Sequence, residues 1–479
     1  MKENTVSNNF DRLLKYLLYL FVFLLPWQVR WIVCDPRINP EFSGGVWEYG
    51  RISLYGFDVV FVVILALCLI NLFKAKAIKA EGKRKQEKSR EKGSRWLGGR
   101  WQALNLFTFL LFCFYVFMSV IWADHKPLSF YWSLRILQGV ILVWLISKIS
   151  FSKVKLASAF IASMTLSAAL GIYQFLTQSS FANKWLGLAY HSAGFLGDSV
   201  VETATGRWLR VYGSFPHPNI AAGFILVAII VCFYLLNVLV NKYQEIKKLR
   251  ILKLLLVISC LLLTIALFFT FSRAAWLAFL VLSILYLVLC IKRRLEIKKP
   301  VLNFSEDWKL LFFSLFLVSC FLLIVYWPLA QTRLQGAERL EVKSNIQRIA
   351  GYQESFKMIK NHQLVGVGIG NYTYELQKMR PNLPAWAYQP VHNVYLLVMS
   401  ELGIIGFVIF ILIFSTTLLR VNKDRKKERG AGKGGSNCQL PNIFIFLFIF
   451  FFFFDHFWWT LPSALLLWWL GLGLILANF

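Results

Sequence analysis

The sequence predicts an all-α fold: a polytopic membrane bundle of about twelve transmembrane helices with one large outer loop that itself contains helices. Three observations predict it. Hydrophobic residues make up 58% of the 479 and charged residues only 16%, far from the balance of a soluble globular chain. The apolar residues gather into stretches near the ~20 residues that a bilayer requires. The formal charge of +28 comes from basic runs between those stretches, a pattern that orients membrane helices. It is not the pattern of a nucleic-acid surface, so no nucleic-acid partner is expected.

Taken in order, the candidate spans are Leu13 to Val33, Phe57 to Phe73, Leu104 to Trp122, Tyr131 to Ile146, Leu156 to Leu176 and Ile220 to Val240. They continue with Ile251 to Phe271, Ala274 to Ile291, Leu310 to Leu329, Val394 to Leu419, Ile443 to Phe454 and Pro462 to Leu476. The first has the charge and length of a signal sequence but lacks a small-x-small cleavage site, so it reads as a retained span. The last two are short enough to form a hairpin that does not cross fully. Six of the eight cysteines (Cys68, Cys113, Cys232, Cys260, Cys290, Cys320) fall inside apolar stretches and read as small buried hydrophobes. Cys34 stands alone and Cys438 lies in a basic loop; no spacing suggests a metal site or a disulfide.

Basic residues set the orientation. Loops 74–103, 147–155, 241–250, 292–309 and 420–440 hold 31 Lys and Arg, whereas the alternate short loops hold 7. The first set belongs on the cytoplasmic side, with both termini, and suits an anionic inner leaflet. Runs such as KRKQEKSREK read as solvated tethers. The chain then divides into an N-terminal membrane part, 1–329, a large outer loop, 330–391, and the C-terminal spans, 392–479.

The outer side carries the unusual material. Loop 177–219 is rich in Gly and aromatic residues. In loop 330–391, SNIQRIAGYQESFKMIKNH spaces Ile346, Ile349, Ala350, Gln353, Phe356 and Ile359 as one helical face, which predicts a helix lying on the membrane surface. GVGIGNY reads as a turn, followed by a short helix that stops before Pro381. No strand precedes the glycines, so a nucleotide-binding loop is not indicated. No repeat of 20 to 50 residues recurs, which weighs against a transporter built from repeats.

With this topology the sixth, eighth and tenth spans start on the outer side, so their partially positive ends face it. Each has a start signal beside a cationic or titratable residue. Pro218 suits the first turn after His217, Ser272 precedes Arg273, and His392 with Asn393 opens the tenth span. Helix ends joined by Arg210 and Arg273 would make an anion site. An arginine at membrane depth costs roughly 2.5 to 3.5 kcal/mol, so Arg273 needs a partner or the interface. It either marks a hairpin turn and snorkels to headgroups or binds an anionic ligand, and with no carboxylate nearby in sequence the second reading is preferred. Arg210 and its neighbour Arg207 divide evenly between ligand contact and a generally cationic loop. His392 is a structural interface histidine or a general base. Glu401, nine residues on, points to the opposite side of the helix and reads as a polar contact within the bundle. His217 reads as a cap or binding residue, and Asp455 with His456 has no evident role. No paired carboxylates or His–carboxylate spacing suggests a metal, and no cofactor is expected.

Four stretches in order, RVYGSFPHPNIAAGF, FSRAAWLAF, RIAGYQESFKMIKNHQLVGVGIGNY and HNVYLLVMSELGIIG, resemble the O-antigen ligase and polymerase superfamily of bacterial envelope glycosyltransferases. DHFWWTLPSALLLWWLGLGL resembles the family's ending, so the resemblance covers about 100–479. It implies a GT-C-like helical bundle in the bacterial inner membrane, with the active site on the periplasmic side. It also implies transfer of a glycan from an undecaprenyl-pyrophosphate carrier to an acceptor hydroxyl on a lipid or saccharide, inverting and without metal or nucleotide sugar. By that resemblance Arg210 and Arg273 hold the donor pyrophosphate, His392 activates the acceptor, and His217, Asn219, Arg348 and Asn393 are further candidates for substrate contact.

The physical reading agrees. Pyrophosphate leaves readily if its developing charge is stabilised, which fixed arginines and helix ends would do. Ligase is preferred over polymerase because the histidine opening the tenth span resembles the ligase pattern. The competing class is a lipid-linked oligosaccharide flippase, which would place cations along a central cavity rather than on one side.

Overall fold

The computed structural model of the protein describes residues 2–38, 45–82, 100–242, 247–296, 306–430 and 440–477. The basic run 83–92 and Cys438 lie outside them. In chain order the elements are α1 (Lys2–Leu24), β1 (Arg30–Cys34), β2 (Ile52–Tyr55), α2 (Gly56–Gly82), α3 (Arg100–Trp122), α4 (Lys126–Lys148), α5 (Lys153–Thr177), β3 (Val200–Thr203) and β4 (Gly206–Leu209). They continue as α6 (Pro218–Lys242), α7 (Lys247–Phe269), α8 (Arg273–Glu296), α9 (Glu306–Val325), α10 (Trp327–Gln335), α11 (Arg339–Asn361) and α12 (Tyr372–Met379). The chain closes with α13 (Val394–Gly430), α14 (Leu440–Phe451), α15 (Phe457–Thr460) and α16 (Pro462–Leu476).

Each expected span overlaps a helix, and among the described residues fewer than twelve helices are long and apolar enough to cross a membrane. Among the described residues seven are, within α2 to α7 and α13, or eight if the bent pair 314–325 and 327–361 is one span. The chain is therefore an integral membrane protein of mainly helical build. Among the described residues three further helical stretches are apolar but shorter: Arg273–Ile284, Asn442–Phe451 and Pro462–Leu476. The first expected span also stops early. Its helix ends at Leu24, and Arg30–Cys34 pairs antiparallel with Ile52–Tyr55, because Pro26 interrupts the helix and the β-branched, aromatic run RWIVC favours a strand. A second hairpin joins β3 to β4.

The chain forms two compact units. The first comprises 1–21, 30–151 and 348–479. Within it α3 packs against α4 and α13, and α4 packs against α16. Gly139 lets α4 approach α16 so closely that a Cβ there would sit 2.2 Å from the Trp469 ring. Trp469 in turn stacks on Trp468, with centroids 4.4 Å apart, and meets Phe109 edge-on at 5.4 Å. Arg135 of α4 and Asp58 of α2, 2.6 Å apart, form a buried charged pair in this unit. Gln138 donates to the same carboxylate at 2.8 Å, and Arg135 donates to the Ser53 carbonyl at 2.7 Å. Charges out of water persist only when so fully partnered.

Helix α13 is broken. Gly403 has φ +64°, which non-glycine residues avoid, and the break releases backbone groups that a continuous helix would pair. The loop before α12 takes them up: Val367 N–H donates to Ser400 O at 3.0 Å, Gly368 N–H to Glu401 O at 2.8 Å, and Ile404 N–H to Gln363 O at 2.9 Å. Glycine at 366 and 403 is needed there, since a Cβ on either would lie within 2.5 Å of the opposite backbone.

The second unit comprises 22–29 and 152–347. Its helices α5, α6 and α7 pack on one another, α7 also against α9 and α6 also against α8. Phe175 and Phe269 stack at 3.9 Å in its centre. The loop between α5 and α6 is clipped by His191 Nδ1 and Asp198 Oδ1, 2.7 Å apart, with Tyr212 stacked on the imidazole at 3.9 Å.

Candidate active site

In the second unit, the turn between α7 and α8 gathers arginines. Phe271 adopts φ +47°, a strained value for a residue with a side chain, and so turns the chain sharply into Arg273. The carbonyls exposed by this turn accept from two guanidinium groups. Arg210 Nε donates to Thr270 O at 2.6 Å, and Arg333 Nε donates to Phe271 O at 2.9 Å. Arg210 is buried and also donates to Ser199 Oγ and to Asn219 Oδ1, each at 2.8 Å. Burial, joined by the charge of Arg333 and then of Arg273, pushes its guanidinium down from the ordinary value.

Arg273 does have a carboxylate partner, contrary to the sequence expectation. Glu341 of α11 is buried beneath it, with Oε2 3.5 Å from Arg273 Nη2 and Oε1 paired with Arg333. Asn345 Oδ1 accepts from the same Arg273 nitrogen at 3.2 Å. The partner lay hidden because 68 residues separate it from Arg273 in the sequence. Two arginines thus share one carboxylate with Arg210 close by, which leaves a net positive cluster. The Arg273 side chain, 33% exposed, is its accessible member.

Two further candidates of this unit have local duties. His217 Nδ1 accepts the Asn219 N–H at 3.1 Å and so caps α6, as its place before Pro218 predicts. Asn219 holds Arg210.

In the first unit, His392 lies just before α13, and Asn393 Oδ1 caps that helix by accepting Leu396 N–H at 3.0 Å. Facing His392 is Asp455, whose Oδ1 is 3.4 Å from His392 Nδ1. Here the sequence reading is corrected: Asp455 and His456 had no evident role, yet they complete the surroundings of His392. Asp455 Oδ1 also accepts its neighbour's backbone N–H, from His456, at 2.9 Å. Burial would raise the Asp455 carboxyl, but the hydrogen bond and charge of His392, with the charge of Arg348, hold it well below the usual carboxylate range. His456 is buried, its Nδ1 2.7 Å from Thr460 Oγ1, and its ring is 5.0 Å from that of His392. Burial, followed by the charge of His392, pushes it down to about 3, so it is neutral. Glu401 keeps its expected role inside the bundle: Trp459 Nε1 donates to its Oε2 at 2.8 Å.

This arrangement supports base chemistry. An Nδ1–H directed at an ionised, buried carboxylate fixes the imidazole and leaves Nε2 to accept a proton. The same three residues could also hold a cation, because one ligand atom from each of His392, Asp455 and His456 lies within 4.8 Å of the others. Sequence spacing concealed this cluster, since two of its members come 63 and 64 residues after the first. For a transition metal the donor set is suitable in kind, but His456 Nδ1 is already engaged with Thr460 and Asp455 Oδ1 accepts twice.

No curated protein matches the sequence. Residues 258–411 match the family model described as O-antigen ligase. That stretch is similar to the O-antigen ligase family model, includes Arg273, Arg348 and His392, and agrees with the resemblance drawn from the ordered motifs.

Proposed function

We propose that the protein transfers a glycan from an undecaprenyl-pyrophosphate carrier to an acceptor hydroxyl, inverting and without a metal, on the outer face of the bacterial inner membrane. The observation that carries this reading is the pairing of His392 with the buried, ionised Asp455 at the head of a helix that begins inside the O-antigen ligase domain. The acceptor oxygen forms its bond to the anomeric carbon as the bond from that carbon to the pyrophosphate breaks. The acceptor proton passes to His392 Nε2, and Asp455 stabilises the imidazolium. The departing pyrophosphate carries the negative charge, which the cluster of Arg273, Arg210 and Arg333 suits in sign and donor geometry. Arg273 meets it with exposed N–H groups, while Arg210, spent on three partners, holds the turn in shape.

The test is reconstitution of the full chain in lipid with undecaprenyl-pyrophosphate glycan, candidate acceptors and a chelator. Transfer by the wild type and its loss in His392→Ala are expected. A lipid A core acceptor marks a ligase; glycan chain extension marks a polymerase. Movement of donor between leaflets without a new glycosidic bond would replace the transferase by a flippase.

A further inference from the structure

We infer that Arg348 forms an anion subsite for the acceptor beside His392, taking a phosphoryl or carboxylate group carried by the sugar that is glycosylated. This rests on the transferase reading for the word acceptor, and on geometry within the first unit for the site.

The face of α11 that carries Arg348 runs onto the head of α13. Gly351 lies against Val391: a Cβ there would sit 3.8 Å from the Val391 Cα, an ordinary van der Waals contact. One turn on, Ser355 Oγ is 2.8 Å from Ser400 Oγ and 3.4 Å from Leu396 O. Residues 348, 351 and 355 share one helical face, and contacts further along α11 fall further along α13. Arg348 precedes Gly351 by three residues, so it stands just beyond the start of α13, on the side where His392, Asp455 and His456 meet. Its guanidinium is near enough for its charge to act on both Asp455 and His456. Yet Arg348 Nε is buried and has no hydrogen-bond partner among the described residues. Arg348 as a whole is half-buried rather than sealed. A buried guanidinium N–H without an acceptor costs free energy that a ligand oxyanion would recover, and the planar fork is matched to phosphoryl and carboxylate oxygens.

The direction of the reaction selects the acceptor as the source of that anion. In an in-line displacement the base lies on the side of the attacking oxygen and the leaving pyrophosphate lies beyond the anomeric carbon. A cation on the base's side therefore faces the acceptor.

Binding without turnover tests this. The full chain in nanodiscs, as His392→Ala, is titrated with glucosamine 6-phosphate and with glucosamine, alone and with added undecaprenyl pyrophosphate. The phosphorylated sugar is expected to bind at least roughly tenfold more tightly than its parent. That preference should vanish when Arg348→Gln is added and return in part with Arg348→Lys, while undecaprenyl pyrophosphate leaves it unchanged. Equal binding of the two sugars, a preference that survives Arg348→Gln in a folded protein, or displacement by undecaprenyl pyrophosphate each overturns the subsite. Thermal unfolding of each variant reports folding. Because no glycan is transferred here, failure of the transferase reading would show in the reconstitution and not in this titration.

Discussion

Asp455 Oδ1 stands 3.4 Å from His392 Nδ1 across 63 residues of sequence. A carboxylate held in its ionised form at that nitrogen selects the tautomer whose Nε2 is free to take a proton. Asp455→Asn keeps the size of the side chain and removes the charge. Transfer should fall by roughly two orders of magnitude or more with the unfolding temperature little changed. Near-normal turnover by this variant would remove Asp455 from the mechanism.

The neutral state of His456 makes an acid limb of stability. Its folded value is about 3 against 6.5 for the free side chain. Between those two values the unfolded chain binds more protons than the folded one, so stability rises with pH across that window and is lost as pH falls through it. Asp455, depressed from 3.8, adds the same sign below its ordinary value. The unfolding temperature in detergent should thus decline from about pH 6.5 downward, and His456→Phe should flatten that decline.

Arg273 and Arg333 compete for Glu341. Replacing Arg273 by Lys retains the charge but loses the planar fork, so most of the transfer should disappear while the protein still folds. Glu341→Gln, by contrast, leaves buried guanidinium groups without their counter-ion. It should cost about 3 kcal/mol of stability, read as a lowered denaturation midpoint.

Arg135 and Asp58 form a pair that is structural rather than catalytic. Arg135→Met leaves a carboxylate buried alone and should destabilise by about 3 kcal/mol. Joining it with Asp58→Leu should restore most of the loss, since the apolar replacement has no orphaned charge. Failure of the double variant to recover would assign the network a role beyond balancing itself.

The helices were legible in the sequence because apolar runs of span length and helix-start residues are local signals. Each expected span overlaps a helix, though the first runs on into the strand Arg30–Cys34, and the surface face predicted for 344–362 falls on α11, whose Ile346, Ile349 and Phe356 are exposed. His217 and Asn393 cap their helices as expected because capping is also local. What escaped were partnerships made by packing. Glu341 under Arg273, Asp58 under Arg135 and Asp455 beside His392 are each separated by 63 or more residues. The one available signal was an ionisable group in or beside an apolar run: Arg135 inside the fourth span and Asp455 at the edge of the eleventh both demanded a companion. The excess of expected over qualifying spans has a similar origin. The first expected span ran on past Leu24 because hydropathy does not register the turn at Pro26, and the last two helices are short as expected.

The broken helix at Gly403 couples chemistry to a distant piece of backbone. Because the backbone of loop 363–368 stands in for the missing turn of α13, the segment bearing His392 at its tip and the glycine loop are bonded into a single splint. Glycine at 366 and 403 is what lets the two surfaces seat against each other. The setting of the base is therefore governed from its far end: a side chain introduced at either glycine, well away from any substrate, would tilt the imidazole.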